Sequence, residues 1–152
     1  MNMKKVITLI VYLFLIGGVS ILHSCKKDKI KGCMDVDSKN YNSAAEEDDG
    51  TCVYEGGIVF WYDQAMANIL LDDGATALTY YVNGTLVGSS AASVFWSGAP
   101  NCGQSSSVTV VIDLGSDKTK SYTYSVKDQT GVEYFSGTVT FSANTCTTIQ
   151  LQ

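Results

Sequence analysis

Five cysteines are the residues of this chain best suited to covalent chemistry, and their surroundings divide them into two kinds. Cys25 stands at the end of an apolar segment and is followed at once by two lysines. The other four lie in polar sequence: Cys33, Cys52, Cys102 and Cys146. A cysteine can be a nucleophile, a metal ligand, a disulfide partner or a site of lipid attachment, and the compartment decides much of the choice. The residues before Cys25 indicate that compartment.

The first 24 residues have the order of a secretory signal peptide. A basic region with Lys4 and Lys5 precedes an apolar core, Val6–Ile16, and a region of small residues follows. A membrane-spanning helix needs about 20 apolar residues, and Gly17-Gly18 interrupts this segment. The pattern therefore favours an export signal, with a marginal membrane span as the alternative.

The border Leu22-His23-Ser24-Cys25 resembles a bacterial lipobox, in which a leucine stands three residues before the lipidated cysteine. The resemblance implies that Cys25 carries a thioether-linked diacylglycerol and an acylated amino group once the signal is removed. Each buried methylene contributes about 0.8 kcal/mol, so two or more acyl chains bind a membrane durably. Lys26 at the next position implies, by the same resemblance, the outer membrane, with the periplasmic or surface face left open. An ordinary export signal with an unmodified cysteine is the alternative.

Composition excludes several kinds of chemistry for the chain after such a cleavage. Residues 25–152 keep 8 lysines and all 15 acidic residues, a formal net charge of −7, and the sequence contains no arginine. Such a chain is a poor nucleic-acid binder. The only histidine, His23, leaves with the signal, so a Ser-His-Asp triad and a His-ligated zinc site are both excluded. Carboxylate pairs stay possible in principle, but we predict a non-enzymatic protein without a nucleic-acid partner.

The four remaining cysteines predict two disulfides, because an even number in an exported chain is typical of a disulfide framework. Three connectivities exist, and the simplest joins nearest neighbours, Cys33 with Cys52 and Cys102 with Cys146. The chain is then expected to divide into four parts: a signal peptide (1–24), a lipidated linker (25–31), an acidic Cys-bounded module (32–55) and a C-terminal domain (57–152).

The module is rich in Asp, Asn, Ser and Gly, which favour Asx turns over regular elements. It has few apolar residues, so the disulfide is expected to hold it together, with Tyr41 as its one packing residue. An EF-hand is excluded, because a loop that begins at Asp35 would have Asn40 where glycine is required. A looser Ca²⁺ site is left open, and no other cofactor is predicted. Its candidate ligands are Asp35, Asp37, Asp48 and Asp49.

The segment GCMDVDSKNYNSAAEEDDGTC, residues 32–52, resembles a Cys-bounded repeat of bacterial exported proteins with the elements GC-x-D, NYN and DDG-x-C. It departs from the repeat at Met34 and at Val36 and Ser43, which replace prolines. Such repeats decorate or space larger modules, so the resemblance implies an architectural role.

From Gly57 onward, short runs of β-branched and aromatic residues alternate with turn-forming residues, which is typical of short strands. Asn83-Gly84 predicts a type I′ hairpin turn, and Asp63 and Gly74 bracket one helix over Gln64–Leu71. We expect strands at Ile58–Tyr62, Leu78–Val82, Thr85–Gly88, Ser93–Trp96, Ser107–Leu114, Ser121–Val126, Glu133–Phe141 and Thr147–Leu151. The predicted fold class is all-β: an antiparallel β-sandwich preceded by a lipoprotein signal peptide and a short disulfide-closed loop module.

The hairpin YVNGTLVG (81–88) and the closing segment SGTVTFSANTCTTIQL (136–151) look like a small β-domain of exported bacterial lipoproteins. They are similar, more loosely, to PEGA-type domains. The resemblance covers most of residues 77–152 and implies a fold but no activity.

Adjacent aromatic residues recur along the predicted strands, where one member of each pair should face away from the core. Outward members can stack on a sugar ring or anchor a protein partner, with Trp61, Trp96 and Tyr81 as candidates, or simply pair across strands. We predict a membrane-anchored lipoprotein that acts as a non-enzymatic structural or interaction module at the cell envelope, with an envelope protein or glycan as partner. The alternative is a carbohydrate-binding accessory lipoprotein that uses these aromatics.

Overall fold

The computed structural model describes residues 27–152. The predicted signal peptide and the predicted lipidation site at Cys25 lie outside these residues.

The acidic module is closed by the predicted disulfide between Cys33 and Cys52, whose Cα atoms are 4.9 Å apart. Two strands of two residues each, β1 (Lys31–Gly32) and β2 (Glu47–Asp48), pair in parallel. The first cysteine bridge and the small, loop-rich character of the module are therefore confirmed.

The packing inside the module differs from expectation. Tyr41 is 45% exposed and is not the packing residue, whereas Cys33 and Ser38 are buried. Asn42 and Tyr41 are held through their backbones, which pair with Cys33. The interior of the module is thus formed by the disulfide at Cys33 and not by a large apolar side chain.

The other described residues form two packed β-sheets and one short helix. The elements are β3 (Tyr54–Trp61), α1 (Gln64–Asp72), β4 (Ala77–Val82), β5 (Thr85–Ala91), β6 (Val108–Gly115), β7 (Thr119–Asp128), β8 (Glu133–Ser142) and β9 (Cys146–Gln150). One sheet has the order β6-β3-β9 and the other β5-β4-β7-β8. All these pairs are antiparallel except β3 with β9, which is parallel. The predicted all-β, antiparallel sandwich is confirmed.

The predicted hairpin turn and the predicted helix ends are both present. Asn83 and Gly84 have φ angles of 49° and 74°, the left-handed values that a type I′ turn requires, and they join β4 to β5. The Asp63 carboxylate accepts a hydrogen bond from the Met66 amide at 2.9 Å and caps α1. Gly74, with φ of 89°, follows the end of the helix.

Strand β3 begins at Tyr54, earlier than predicted. Gly56 and Gly57 weaken the strand signal in the sequence, but packing requires the first of them. A Cβ at Gly56 would lie 2.6 Å from the carbonyl oxygen of Ser142. Because β3 continues from the module into the sandwich, the expected division between residues 55 and 57 falls inside a strand.

The core lies between the two sheets. Phe60 of β3 is 2% exposed, and its ring centroid lies 5.5 Å from that of Tyr80 and 5.2 Å from that of Tyr124. The two tyrosines belong to the four-stranded sheet, so these contacts join the sheets directly. Leu70 of the helix and Leu151 after β9 are buried in the same cluster.

The predicted strand at Ser93–Trp96 is wrong: these residues form a loop after β5. The Val94 amide donates to the Ala91 carbonyl at 3.1 Å, which turns the chain, and the Trp96 amide donates to the Tyr62 carbonyl at 3.0 Å. An aromatic pair in a loop gives the same local signal as one in a strand. The difference lies in the ladder of backbone hydrogen bonds, which the sequence does not reveal.

Candidate interaction surfaces

Two acidic side chains of the module cap the turns that contain them. Asp48 accepts a hydrogen bond from the Gly50 amide at 3.0 Å. Asp49 accepts one from the Thr51 amide at 3.0 Å and another from the Thr51 hydroxyl at 2.6 Å. The bonds from Thr51 lower the pKa of the Asp49 carboxyl. These carboxylates are therefore engaged in Asx turns.

The other two calcium candidates face a lysine. Asp35 and Asp37 both form ion pairs with Lys118. Within residues 27–152, no group of three or more His, Cys, Asp or Glu side chains is arranged to hold a metal ion. The structure does not bring Asp35, Asp37, Asp48 and Asp49 together as a cation site.

The module is docked on the sandwich through a compact charged junction. Lys118, in the turn between β6 and β7, places Nζ 2.5 Å from Asp35 Oδ2, 3.6 Å from Asp37 Oδ2 and 5.5 Å from the Tyr54 ring centroid. The hydroxyl of the buried Tyr54 donates to Asp35 Oδ2 at 2.9 Å. A single carboxylate thus connects the module to two parts of the sandwich.

A second set of bonds fixes the module to the residues that lead into β3. Asn40 donates to the Thr51 carbonyl at 2.8 Å and accepts from the Val53 amide at 3.0 Å. The buried Ser38 hydroxyl donates to the Val53 carbonyl at 3.0 Å, and Lys39 pairs with Glu55 at 2.8 Å. Asn40 is the first Asn of the NYN element, so this element ties the middle of the module to its last residues, just before β3.

Replacing Asp35 by Asn is expected to weaken this junction and to flatten the acid limb of the stability profile. The bonds from Lys118, from the Asp37 amide and from the Tyr54 hydroxyl lower the pKa of Asp35 below 3.8. A depressed folded-state pKa contributes stability above the unfolded-state value, and this contribution is lost as the pH falls through the folded-state value. Thermal melts from about pH 6 to about pH 2 test this, because the parent should lose melting temperature below about pH 4 more steeply than the variant.

Glu46→Gln is the matched control for that series, since Glu46 is exposed and lies in the same module. It should keep the steep acid limb of the parent. Parallel profiles for the parent and Asp35→Asn would contradict the assigned role of Asp35.

Trp61 and Trp96 are both half-buried. They line a common crevice with Tyr62 and Tyr80, and its volume is about 10 Å³, which is room for about one water molecule. The crevice is therefore too small for a sugar ring.

The third aromatic candidate lies on the opposite side of the molecule. Phe60 and Tyr80 face each other in the core, so their strand neighbours Trp61 and Tyr81 point away from it on opposite faces. Lys127 Nζ lies 5.8 Å from the Tyr81 ring centroid. The structure therefore brings Trp61 and Trp96 together but separates both from Tyr81.

The outer face beside Tyr81 carries hydroxyl side chains in register. Four cross-strand pairs of β7 and β8 join two hydroxyl residues each: Thr119–Ser142, Ser121–Thr140, Thr123–Thr138 and Ser125–Ser136. The Ser121 and Thr140 hydroxyl oxygens are 2.8 Å apart. The sequence shows the alternation within each strand, but the pairing depends on the register between strands and could not be predicted.

The second predicted disulfide, between Cys102 and Cys146, is confirmed, with Cα atoms 6.3 Å apart. It ties the loop before β6 to the first residue of β9. In the same loop the Gly103 amide donates to Thr109 Oγ1 of β6 at 2.9 Å. The bridge holds this loop to β9 and the hydrogen bond holds it to β6, so together they connect it to both outer strands of the three-stranded sheet.

Strand β6 has an apolar surface that is not among the predicted candidate sites. Val111 is 62% exposed. A groove of about 270 Å³ adjoins the strand, and its lining includes Val82, Val87, Val110 and Tyr122. A signal was available in the sequence, since Val111 is apolar where the alternation of the strand calls for a polar residue.

Within residues 27–152, no helix is long and apolar enough to cross a membrane. Comparison with protein-family models, with curated proteins and with solved structures finds no match to this chain.

Proposed function

We propose that this chain is an exported lipoprotein, anchored through Cys25, whose module and sandwich together act as a non-enzymatic structural or interaction unit at the cell envelope. The observation that carries the proposal is the pair of disulfides, Cys33–Cys52 and Cys102–Cys146. Disulfides persist in oxidising compartments outside the cytosol. They therefore support the export that the first 24 residues predict, and export is the condition for lipidation.

The junction between module and sandwich supports a structural role. Residues from Ile30 onward are held, since the Ile30 carbonyl accepts the Glu46 amide at 2.7 Å. Ile30 follows Cys25 by five residues, and a chain of that length reaches at most about 18 Å, so the lipid anchor would lie within that distance of Ile30. Together with the bonds at Asp35, this arrangement would hold the sandwich close to the bilayer in a restricted orientation.

Replacing Cys25 by Ala is expected to abolish lipidation and to block processing by the lipoprotein peptidase. Fractionation with detergent partitioning, combined with radiolabelled palmitate, measures both effects. The parent should be labelled and detergent-soluble, and the variant unlabelled and unprocessed. Ser24→Ala, which keeps a small residue before the cysteine, is the control and should be processed normally.

Normal cleavage and release of the Cys25→Ala chain would overturn the lipoprotein assignment. The carbohydrate-binding alternative receives less support, because a sugar-stacking strip needs its aromatic rings on one surface. Trp61 and Trp96 line a narrow crevice, and Tyr81 lies on the opposite face.

A further inference from the structure

Strand β6 is an open sheet edge. It is the end strand of its sheet and pairs only with β3 in the described part of the chain. An edge strand presents backbone N–H and C=O groups that can pair with another strand, and proteins usually protect such edges with bulges, charges, short length or coverage.

The other three edges differ from β6 in length, regularity or outward side chains. The pairing of β4 with the edge strand β5 is interrupted by a bulge, and β9 has only five residues. Edge strand β8 pairs regularly with β7 from Phe135 to Ser142, but its exposed side chains there are the polar Ser136, Thr138 and Thr140. In β6 the irregularity lies near the Gly115 end, so the stretch from Val108 to Asp113 pairs regularly with β3. That stretch contains no proline or lysine. It is the edge that combines regular pairing with an exposed apolar side chain, Val111.

Part of this edge is covered, and the rest is open. At Val108 the two sheets approach closely, since a Cβ built on Gly88 would lie 2.8 Å from Val108 Cγ1. Further along β6, the groove of about 270 Å³ opens between the strand and the β4–β5 hairpin. A strand added at Val110–Asp113 would place its inward side chains over this apolar groove.

We propose that the β6 edge is a dimerisation surface that pairs, antiparallel, with β6 of a second copy of this chain. A strand that pairs here needs apolar side chains on its inward face to cover the groove. Strand β6 itself has such side chains, because Val110 and Ile112 face inward, whereas Val111 faces out. The two three-stranded sheets then become one continuous six-stranded sheet, and the contact is the same patch on both copies, as a two-fold axis requires.

The register follows from backbone parity and charge. Alternate residues of β6 direct their backbone hydrogen bonds to β3, and the residues between them direct theirs to the open edge. Opposed residues in the new pair must both belong to the same one of these two sets. The two-fold axis must therefore pass between the two copies of a single residue. With the axis at Val111, the two Val111 side chains lie opposite each other and Thr109 lies opposite Asp113. No like charges are then opposed, although each copy has a formal net charge of −7, from 8 lysines and 15 acidic residues in 25–152.

This proposal identifies a second copy of the chain as the partner. It rests on the proposed function only for the place where the dimer acts, the cell envelope. The dimer is measured on the full chain, purified in a non-ionic detergent that keeps both lipidated and unlipidated forms in solution. A failure of dimerisation is thus distinct from a failure of lipidation.

The test is sedimentation of the parent, Val111→Lys and Thr123→Lys over a concentration series. Both variants add one positive charge, but only Val111→Lys places like charges directly opposite each other across the axis, and Thr123 is exposed on the other sheet. Val111→Lys is expected to raise the dimer dissociation constant at least about tenfold, and Thr123→Lys to leave it unchanged or lower it. Added salt should strengthen the parent dimer, because it screens repulsion between two acidic copies.

Val111 is 62% exposed, so Val111→Lys should keep the parent melting temperature at concentrations where both are monomeric. A parent that stays monomeric throughout the series would overturn the proposal. Equal dissociation constants for the two lysine variants would also overturn it, because they would show that the contact between copies does not involve β6.

Discussion

Replacing Phe60 by Ala is expected to lower the free energy of unfolding by about 3–5 kcal/mol, because truncating a buried phenylalanine removes apolar burial and leaves a cavity. Phe60 is 2% exposed, and its ring lies 5.5 Å from Tyr80 and 5.2 Å from Tyr124 by centroid distance. It thereby joins the three-stranded sheet to the four-stranded one. Equilibrium denaturant unfolding measures the loss.

Trp61→Ala is the matched comparison, since Trp61 is the next residue of the same strand but is only half-buried. Truncating it should cost about 1–2 kcal/mol, despite the larger side chain, because less of its surface is removed from water. A loss at Trp61 equal to that at Phe60 would contradict the outward placement of the indole. A small loss at Phe60 would contradict its position in the core.

Removing the Cys102–Cys146 bridge has the second large expected effect. The paired change to Ala should destabilise the sandwich by about 4 kcal/mol, because closing a long loop removes conformational freedom from the unfolded chain. The bridge spans 44 residues of sequence and ties the loop before β6 to β9. Thermal unfolding of the double variant, compared with the oxidised parent, measures this loss.

The bridge in the module provides the comparison. It spans 19 residues, so its loop-closure contribution is about 3 kcal/mol. Its removal is expected to melt the module while the sandwich stays folded, since the main apolar cluster lies within the sandwich, with Tyr54 of β3 at its border. An unchanged melting temperature without Cys102–Cys146, or loss of the sandwich core without Cys33–Cys52, would contradict these assignments.

The features predicted correctly from the sequence are those with local causes. Asp63 caps α1 because its carboxylate reaches an amide three residues on, and Asn83-Gly84 turns the chain because both residues accept positive φ. The cap and the turn each depend on residues close together along the chain. The cysteine pairing was predicted by joining nearest cysteines in sequence, although the second bridge spans 44 residues.

The features that were missed depend on distant parts of the chain. Gly56 lies inside β3 because Ser142 approaches it, and Phe95-Trp96 lies in a loop because no ladder forms there. The sequence makes Asp35 a calcium candidate, but Lys118, far away in sequence, forms an ion pair with it. The separation of Tyr81 from Trp61 follows from which sheet each strand joins. Such contacts cannot be read from neighbouring residues.

The intact mass of the protein isolated from membranes tests the central claim most directly. We expect a chain that begins at Cys25 and carries a diacylglycerol on its sulfur and an acyl group on its amino nitrogen, with both disulfides formed. A chain that retains residues 1–24, begins at another residue, or begins at an unmodified Cys25 would contradict the account.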